Sequence, residues 1–347
     1  MTVQQRYWLE KLELQFTVAM TLAATYFVCW PLVRGADPSG AVSFLADGGL
    51  GQTAAFAGVL WGGSVLCAAL TASARPSASM AAALIGAGGI AVRSGPIQTL
   101  LWNHMSQPAW LFHRLVAELL VLASLLVVAD VIIGSVRWVC RLAMPTWAWR
   151  PHLPAATSGL PGKRPLSDSA SAMSWLDETC ILGPVFSSSG ARQSAKGQAG
   201  QTRPPAGSGQ AGRPAGRQEL ATAGQALLIA AAVAAGMIAC LLRSADRGQI
   251  IFALFASFFL ASLAGHYACP SRYGSLAVLL PLAFGVAAYL LAGAAGVGSP
   301  PQGWIDVGLY ARALPVDWLT AGSGGAILGC WTSQRMHEAK QLDRQEE

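Results

Sequence analysis

The chain has 347 residues, 53% of them hydrophobic and 12% charged, with a net charge of +6 and a mean hydropathy of +0.45. Soluble domains carry about 25% charged residues, so this composition excludes an ordinary water-soluble domain and points to the lipid bilayer. The basic balance does not imply a nucleic-acid partner, because the lysines and arginines collect in one low-complexity segment and at the ends of apolar runs, as membrane topology demands.

An apolar run needs about 17 to 25 residues to cross roughly 30 Å of hydrocarbon. In chain order such runs fall at 14–33, 52–73, 76–92, 115–136, 220–242, 250–269, 275–296 and 314–331. They predict an all-α, polytopic transmembrane helical bundle of about eight spans. Two of the eight are weak. The run 76–92 is short and glycine-rich, and 314–331 begins with Pro315 and Asp317, so either fits a re-entrant or interfacial segment as well as a span. The first run follows Arg6, Glu10, Lys11 and Glu13 and has no Ala-x-Ala site directly after it. It is expected to be an uncleaved anchor, with Trp8, Leu9 and Leu12 along the membrane surface.

Cytoplasmic loops are enriched in lysine and arginine. With eight spans and both termini cytoplasmic, seventeen basic residues fall inside and six outside, namely Arg34, Arg93, Arg114, Arg243, Arg247 and Arg312. The excess survives at thirteen to six when only the long loop's residues near the spans are counted. Trp30, Trp102, Trp110, Trp304 and Trp318 then lie near the outer interface and Trp138, Trp147 and Trp331 near the inner one, where aromatic belts sit.

The spans divide the chain into an N-terminal membrane half (1–142), a basic cytoplasmic linker (143–219), a C-terminal membrane half (220–331) and a polar C-terminal tail (332–347). The linker is built of Gly, Pro, Ser, Ala, Gln and Arg with little to bury, and is expected to be disordered. It contains one apolar island, MSWLDETCILGPVF at 173–186. The bland reading is a patch that grazes the bundle or the membrane; the sharper one is a segment that folds on a protein partner.

Two carboxylates interrupt the span that starts near Leu115. Glu118 stands four residues after Arg114, a spacing at which an i,i+4 ion pair would satisfy it at the outer interface. Asp130 stands seven residues before Arg137, roughly 10 Å deeper along the axis, too deep for a short side chain to reach the surface. A charge at mid-span costs about 2.5 to 3.5 kcal/mol, so Asp130 must be neutral, hydrogen-bonded inside the bundle or facing water. It is the candidate functional intramembrane acid, with a structural hydrogen bond as the even alternative. The two acids stand about 120° apart around the helix, so they do not form a relay on one face.

Gly58 with Gly62, and Gly325 with Gly329, stand at the GxxxG spacing that lets helix backbones approach closely. Pro281 is expected to kink its span, Asp317 to cap the start of its own, and His266 to sit at an inner interface. Seven single cysteines form neither a disulfide framework nor a zinc site. The five histidines make no metal constellation, and no cofactor is implied. No HExxH, GxSxG, P-loop or strand-borne GxGxxG is present, and Ser323 lacks the flanking residues and the later histidine of an intramembrane serine protease.

Three functions follow. The first is a non-catalytic assembly or anchoring protein whose partners are the lipid bilayer and a protein bound through 173–186 or the C-terminal tail. The alternative is a channel or a proton- or cation-linked secondary transporter using Asp130, and the third is a membrane enzyme without a known signature. Alanine- and arginine-rich usage with four lysines suggests a bacterial sequence and the plasma (inner) membrane.

Overall fold

The computed structural model describes residues 3–35, 37–104, 106–144, 179–181, 215–295 and 308–346. Every regular element among them is helical. Helix α1 (Val3–Ala23) runs through a π-helical segment (Ala24–Cys29) into α2 (Trp30–Val33). Then come α3 (Leu50–Leu70), α4 (Pro76–Arg93), the short α5 (Gln98–Asn103) and the long α6 (Pro108–Ala143). After the loop follow α7 (Ala215–Leu241), α8 (Arg247–Ala268), a 3-10 segment (Arg272–Leu279) and α9 (Leu280–Ala295). The chain closes with a 3-10 turn (Leu309–Arg312), α10 (Pro315–Asp317), a π-helical segment (Trp318–Gly322) and α11 (Ser323–Glu346).

Six helices are long and apolar enough to cross a membrane: Trp8–Val33, Leu50–Leu70, Pro108–Ala143, Leu220–Leu241, Arg247–Ala268 and Gly274–Ala295. Their apolar windows are only 22% to 44% buried inside the protein, as helices facing lipid should be. The two weak runs behave in the opposite way. In α4, 13 of 18 residues are buried, and Pro315 to Ala326 is buried without a break. These two elements form the middle of the bundle, packed on each other and wrapped by the apolar helices. A helix sheltered by protein needs no lipophilic coat, so its small and polar residues lower its hydropathy without marking it as a loop.

Small residues set the spacing in the middle. Thr25 donates its hydroxyl to the Gly86 carbonyl at 2.5 Å, and Thr21 reaches the Ala82 carbonyl at 3.4 Å. A Cβ at Gly89 would stand 2.8 Å from the Leu22 carbonyl oxygen, so α1 and α4 touch backbone to backbone. The same holds where α11 crosses α8: a Cβ at Gly325 or Gly329 would strike the Phe255 or Phe259 carbonyl oxygen. The other GxxxG pair does not pack. Gly58 and Gly62 face open space, because in α3 they lie away from the face that contacts α4 and α6. Pro281 also differs from expectation: as the second residue of α9 it starts the helix after the 3-10 segment, where its missing N–H is not needed.

Contacts sort the helix ends into two groups. At one end, Glu13 bonds Ser73, Glu10 pairs with Arg335, Arg75 Nη1 donates to Gln334 Oε1 (3.3 Å) and His266 Nδ1 meets Ser333 Oγ (3.0 Å). This is the first end, and the 143–219 linker leaves and re-enters here. At the second end sit the 34–49 loop, α5, and the starts of α6, α8 and α10. Helix α11 runs on past Trp331 to Glu346, so the expected polar tail begins as a continuation of the helix. Most of the linker lies outside the described residues, and so does its island apart from 179–181.

Candidate functional site

Helix α6 carries the site. Residues seven apart return to nearly the same side of a helix, so Asp130 and Arg137 share one stripe, and both are buried. Arg137 donates Nη1 to the Thr71 carbonyl (2.8 Å) and to Ser79 Oγ (3.0 Å), and Nη2 to the Ala74 carbonyl (2.5 Å). It therefore stitches the α3–α4 turn onto the bundle rather than reaching for the interface.

Asp130 holds a different segment. Its Oδ1 accepts the Cys180 N–H at 2.7 Å and its Oδ2 accepts the Ile181 N–H at 2.9 Å. Cys180 and Ile181 are themselves buried, and the Cys180 thiol lies within reach of Ser275, Cys330 and Arg137. Two consecutive backbone donors gripping both oxygens make a strong, charge-assisted acceptor. Residues 179–181, in the middle of the linker's apolar island, are thus docked inside the bundle. A hydrogen bond inside the bundle was one of the outcomes that Asp130's depth allowed. Its partners, fifty positions on, were not legible, because backbone amides leave no mark in residue type.

The second end repeats the device. Glu118 Oε2 accepts from Ser43 Oγ (2.6 Å) and from the consecutive N–H groups of Phe44 (3.0 Å) and Leu45 (3.1 Å). The expected Arg114–Glu118 ion pair is not formed. Arg114 donates to the carbonyls of Leu45 (3.0 Å) and Ala46 (3.4 Å) and stacks 3.5 Å from the Trp110 ring centroid. The loop offers three donors to the carboxylate and carbonyls to the guanidinium, which satisfies both groups better than one i,i+4 contact between them.

Asp317 is a further buried acid, in addition to Glu118, Asp130 and the Glu10 that pairs with Arg335. Asp317 caps α10 through the Leu314 N–H (2.7 Å) and forms a bidentate pair with Arg247, Nη1 to Oδ2 at 2.5 Å and Nη2 to Oδ1 at 2.7 Å. Arg247 Nη2 also reaches the Ala91 carbonyl (2.7 Å), tying α8, α10 and α4 together. Capping by Asp317 follows from its position. The pairing across 70 residues has no sequence signal, since both residues simply stand at the starts of apolar runs.

His266, at the first end, is buried, with its ring 6.1 Å from that of His337. Among the described residues no group of three or more His, Cys, Asp or Glu side chains could hold a metal. All seven cysteines are free thiols. What the arrangement does chemically is clamp chain segments: Glu118, Asp130 and Asp317 each accept backbone N–H donors of a loop or helix start. No protein-family model matches the chain, and no curated protein or solved structure matches it.

Proposed function

We propose that this chain is an eight-span protein of a bacterial plasma membrane, with both termini and the long linker on the cytoplasmic side, and that it serves as a non-catalytic assembly or anchoring protein. One observation carries the reading: both oxygens of Asp130 are taken by Cys180 and Ile181. An acid whose two oxygens each accept a backbone N–H is a latch for the linker, which supports a structural role for Asp130 over an ion- or proton-linked one. The latch divides the linker into an arm of balanced charge, 145–178, and a basic arm, 182–214. The basic arm favours contact with anionic lipid and an acidic partner surface at the first end. The excess of lysine and arginine at the first end supports the cytoplasmic assignment.

The test is made in native membranes. Cross-linking and purification of the full chain should recover a defined partner, and deleting 187–213 should lose it while leaving the thermal midpoint of the bundle unchanged. Asp130→Asn should weaken recovery without abolishing it. If purified protein in liposomes instead carries a proton or cation flux that Asp130→Asn abolishes, the assembly reading fails and transport replaces it.

A further inference from the structure

The apolar coat around the middle of the bundle has a gap near the second end. In α4, 13 of 18 residues are buried. Of the rest, Ile85, Gly88, Val92 and Arg93 stand together in its closing turns, and the first three recur at i, i+3 and i+7 as one stripe. Helix α1 lies against α4, and α8 lies against α7 and α11. Between α1 and α8 the stripe borders a cavity of about 390 Å³, within the range of roughly 300 to 1,000 Å³ usual for small-ligand sites. Leu22 forms one wall, a face of α8 from Gly248 to Phe255 the other, and Thr320 with Ala321 the floor.

The lining excludes water and admits hydrocarbon. Thr320 is the polar side chain in it, and its hydroxyl is spent on the Val316 carbonyl (2.7 Å), whereas a trapped water needs about two to four polar partners. Leu22, Val92 and Phe252 are exposed on the outside of the bundle, and both walls belong to helices long and apolar enough to cross a membrane. From Gly248 to Phe255 the slot follows α8 for roughly 10 Å from its start, level with the lipid tails of the leaflet at the second end. The stripe ends there on Arg93, which is exposed. Arg93 Nη1 donates to the Tyr26 carbonyl (3.0 Å), and the guanidinium lies 5.0 and 5.4 Å from the ring centroids of Tyr26 and Trp30. These contacts position the group and leave N–H donors for a phosphate, which a guanidinium holds by paired, charge-assisted hydrogen bonds. The charges beside Gly248 are spent. Arg247 is bidentate to Asp317, and Asp246 accepts the Gly248 and Gln249 N–H groups.

We propose that the slot is a site for one glycerophospholipid of the second-end leaflet, with an acyl chain against Ile85, Gly88 and Phe252 and its phosphodiester on Arg93. Hydrophobic transfer gives nothing to a tail that is already in hydrocarbon. The tail gains the dispersion contacts that a void denies its lining, and Arg93 selects the head. The site needs only that the apolar helices lie in a bilayer, and it is independent of the Asp130 latch and of the assembly reading.

The full chain, purified in detergent without added lipid, is titrated with phosphatidylglycerol carrying a photoreactive diazirine in its acyl chain, and the labelled peptides are mapped by mass spectrometry. Saturable labelling is expected on the peptides that contain Val92 and Phe252, against unsaturated labelling of the peptide that contains Leu228, which is exposed on α7 and reports loose lipid. Unlabelled phosphatidylglycerol should compete at least roughly tenfold better than diacylglycerol with the same tails, and Arg93→Gln should remove most of that difference. A Cβ at Gly88 meets only Thr320 Cβ, at 3.9 Å, so Gly88→Leu fills the slot without striking backbone and should abolish the saturable component. Arg93 is exposed, so its variant folds even if Gly88→Leu does not. Labelling that saturates nowhere, equal competition by diacylglycerol, or indifference to Arg93→Gln overturns the proposal. So does a dimer, counted by single-molecule photobleaching, that Gly88→Leu dissolves, since a second copy would then fill the slot.

Discussion

Glu118 and Asp130 stand twelve residues apart on one helix and use the same device, a buried carboxylate accepting two consecutive backbone N–H groups. They differ in what they hold. Glu118 grips a loop of sixteen residues between Val33 and Leu50 that is also pinned by Ser94, Thr99, Gly95 and Gln52. Asp130 grips the middle of a linker that joins Ala143 to Ala215. Holding the middle of the linker costs loop-closure entropy that detachment returns. The same chemistry therefore holds a multiply pinned loop at one end and a linker segment at the other, and the second is expected to release first.

The largest effect should come from breaking the fixed part. Glu118→Ala leaves two N–H groups and the Ser43 hydroxyl buried without their acceptor. At about 1 to 3 kcal/mol for each orphaned group, the loss approaches the stability of the fold, and monodisperse protein should fall sharply on size exclusion. Glu118→Gln should be much milder. Its amide oxygen can still accept, and its nitrogen takes the place of Oε1, which has no hydrogen-bond partner. If alanine and glutamine variants melt alike, the carboxylate is not acting as an acceptor.

Asp317→Ala comes next, because it strands the buried Arg247. Removing one partner of a buried pair costs about 3 to 5 kcal/mol. The double variant Asp317→Leu with Arg247→Met should recover part of the loss, since it removes the unpaired charge as well. Thermal midpoints in detergent order the three proteins, and a double variant no better than Asp317→Ala would mean that the Leu314 cap, not the ion pair, carries the effect.

Asp130→Asn should barely move the thermal midpoint but should open the latch. An asparagine keeps one acceptor and turns an N–H group toward a backbone donor. A local loss of about 1 to 3 kcal/mol corresponds to a roughly five- to 150-fold rise in the open population. Cys180 reports it directly: in the wild type it is 6% exposed, and its alkylation rate, followed by peptide mass spectrometry, should rise by a factor in that range. Cys67, buried in α3, is the internal control. If Asp130→Asn lowers the midpoint as far as Glu118→Ala does, the contrast between fixed and releasable segments is lost.

Hydropathy made the periphery of the bundle legible and misjudged its middle. Six apolar runs stand out because they meet lipid. Helix α4 and Pro315–Ala326 look weak for the reason that makes them central: most of their residues meet protein, where Ala, Gly, Ser and Thr permit contact at backbone distance. The depth of Asp130 left it neutral, hydrogen-bonded or facing water, and the structure shows the hydrogen bonds. The partner was hidden because a peptide N–H belongs to every residue except proline. Arg114 and Glu118 mislead in the other direction, since i,i+4 spacing states that two side chains can meet, not that nothing better is near. Charge and hydropathy report which groups must be satisfied, and only packing reports by what.

The smallest effects separate two glycine pairs that are identical as sequence patterns. Gly325 meets the Phe255 carbonyl across the α8–α11 contact, so Gly325→Ala must push the helices apart and should cost about 1 to 3 kcal/mol. Gly58 meets nothing within 4 Å, so a methyl group there touches no neighbour and gains the helix preference of alanine over glycine, up to about 1 kcal/mol. Gly58→Ala should therefore leave the thermal midpoint unchanged or raise it by a degree or two, while Gly325→Ala lowers it. A fall in both would mean that Gly58 and Gly62 face a second molecule in the membrane. Self-association measured by single-molecule photobleaching in nanodiscs would then find a dimer that Gly58→Ala dissolves.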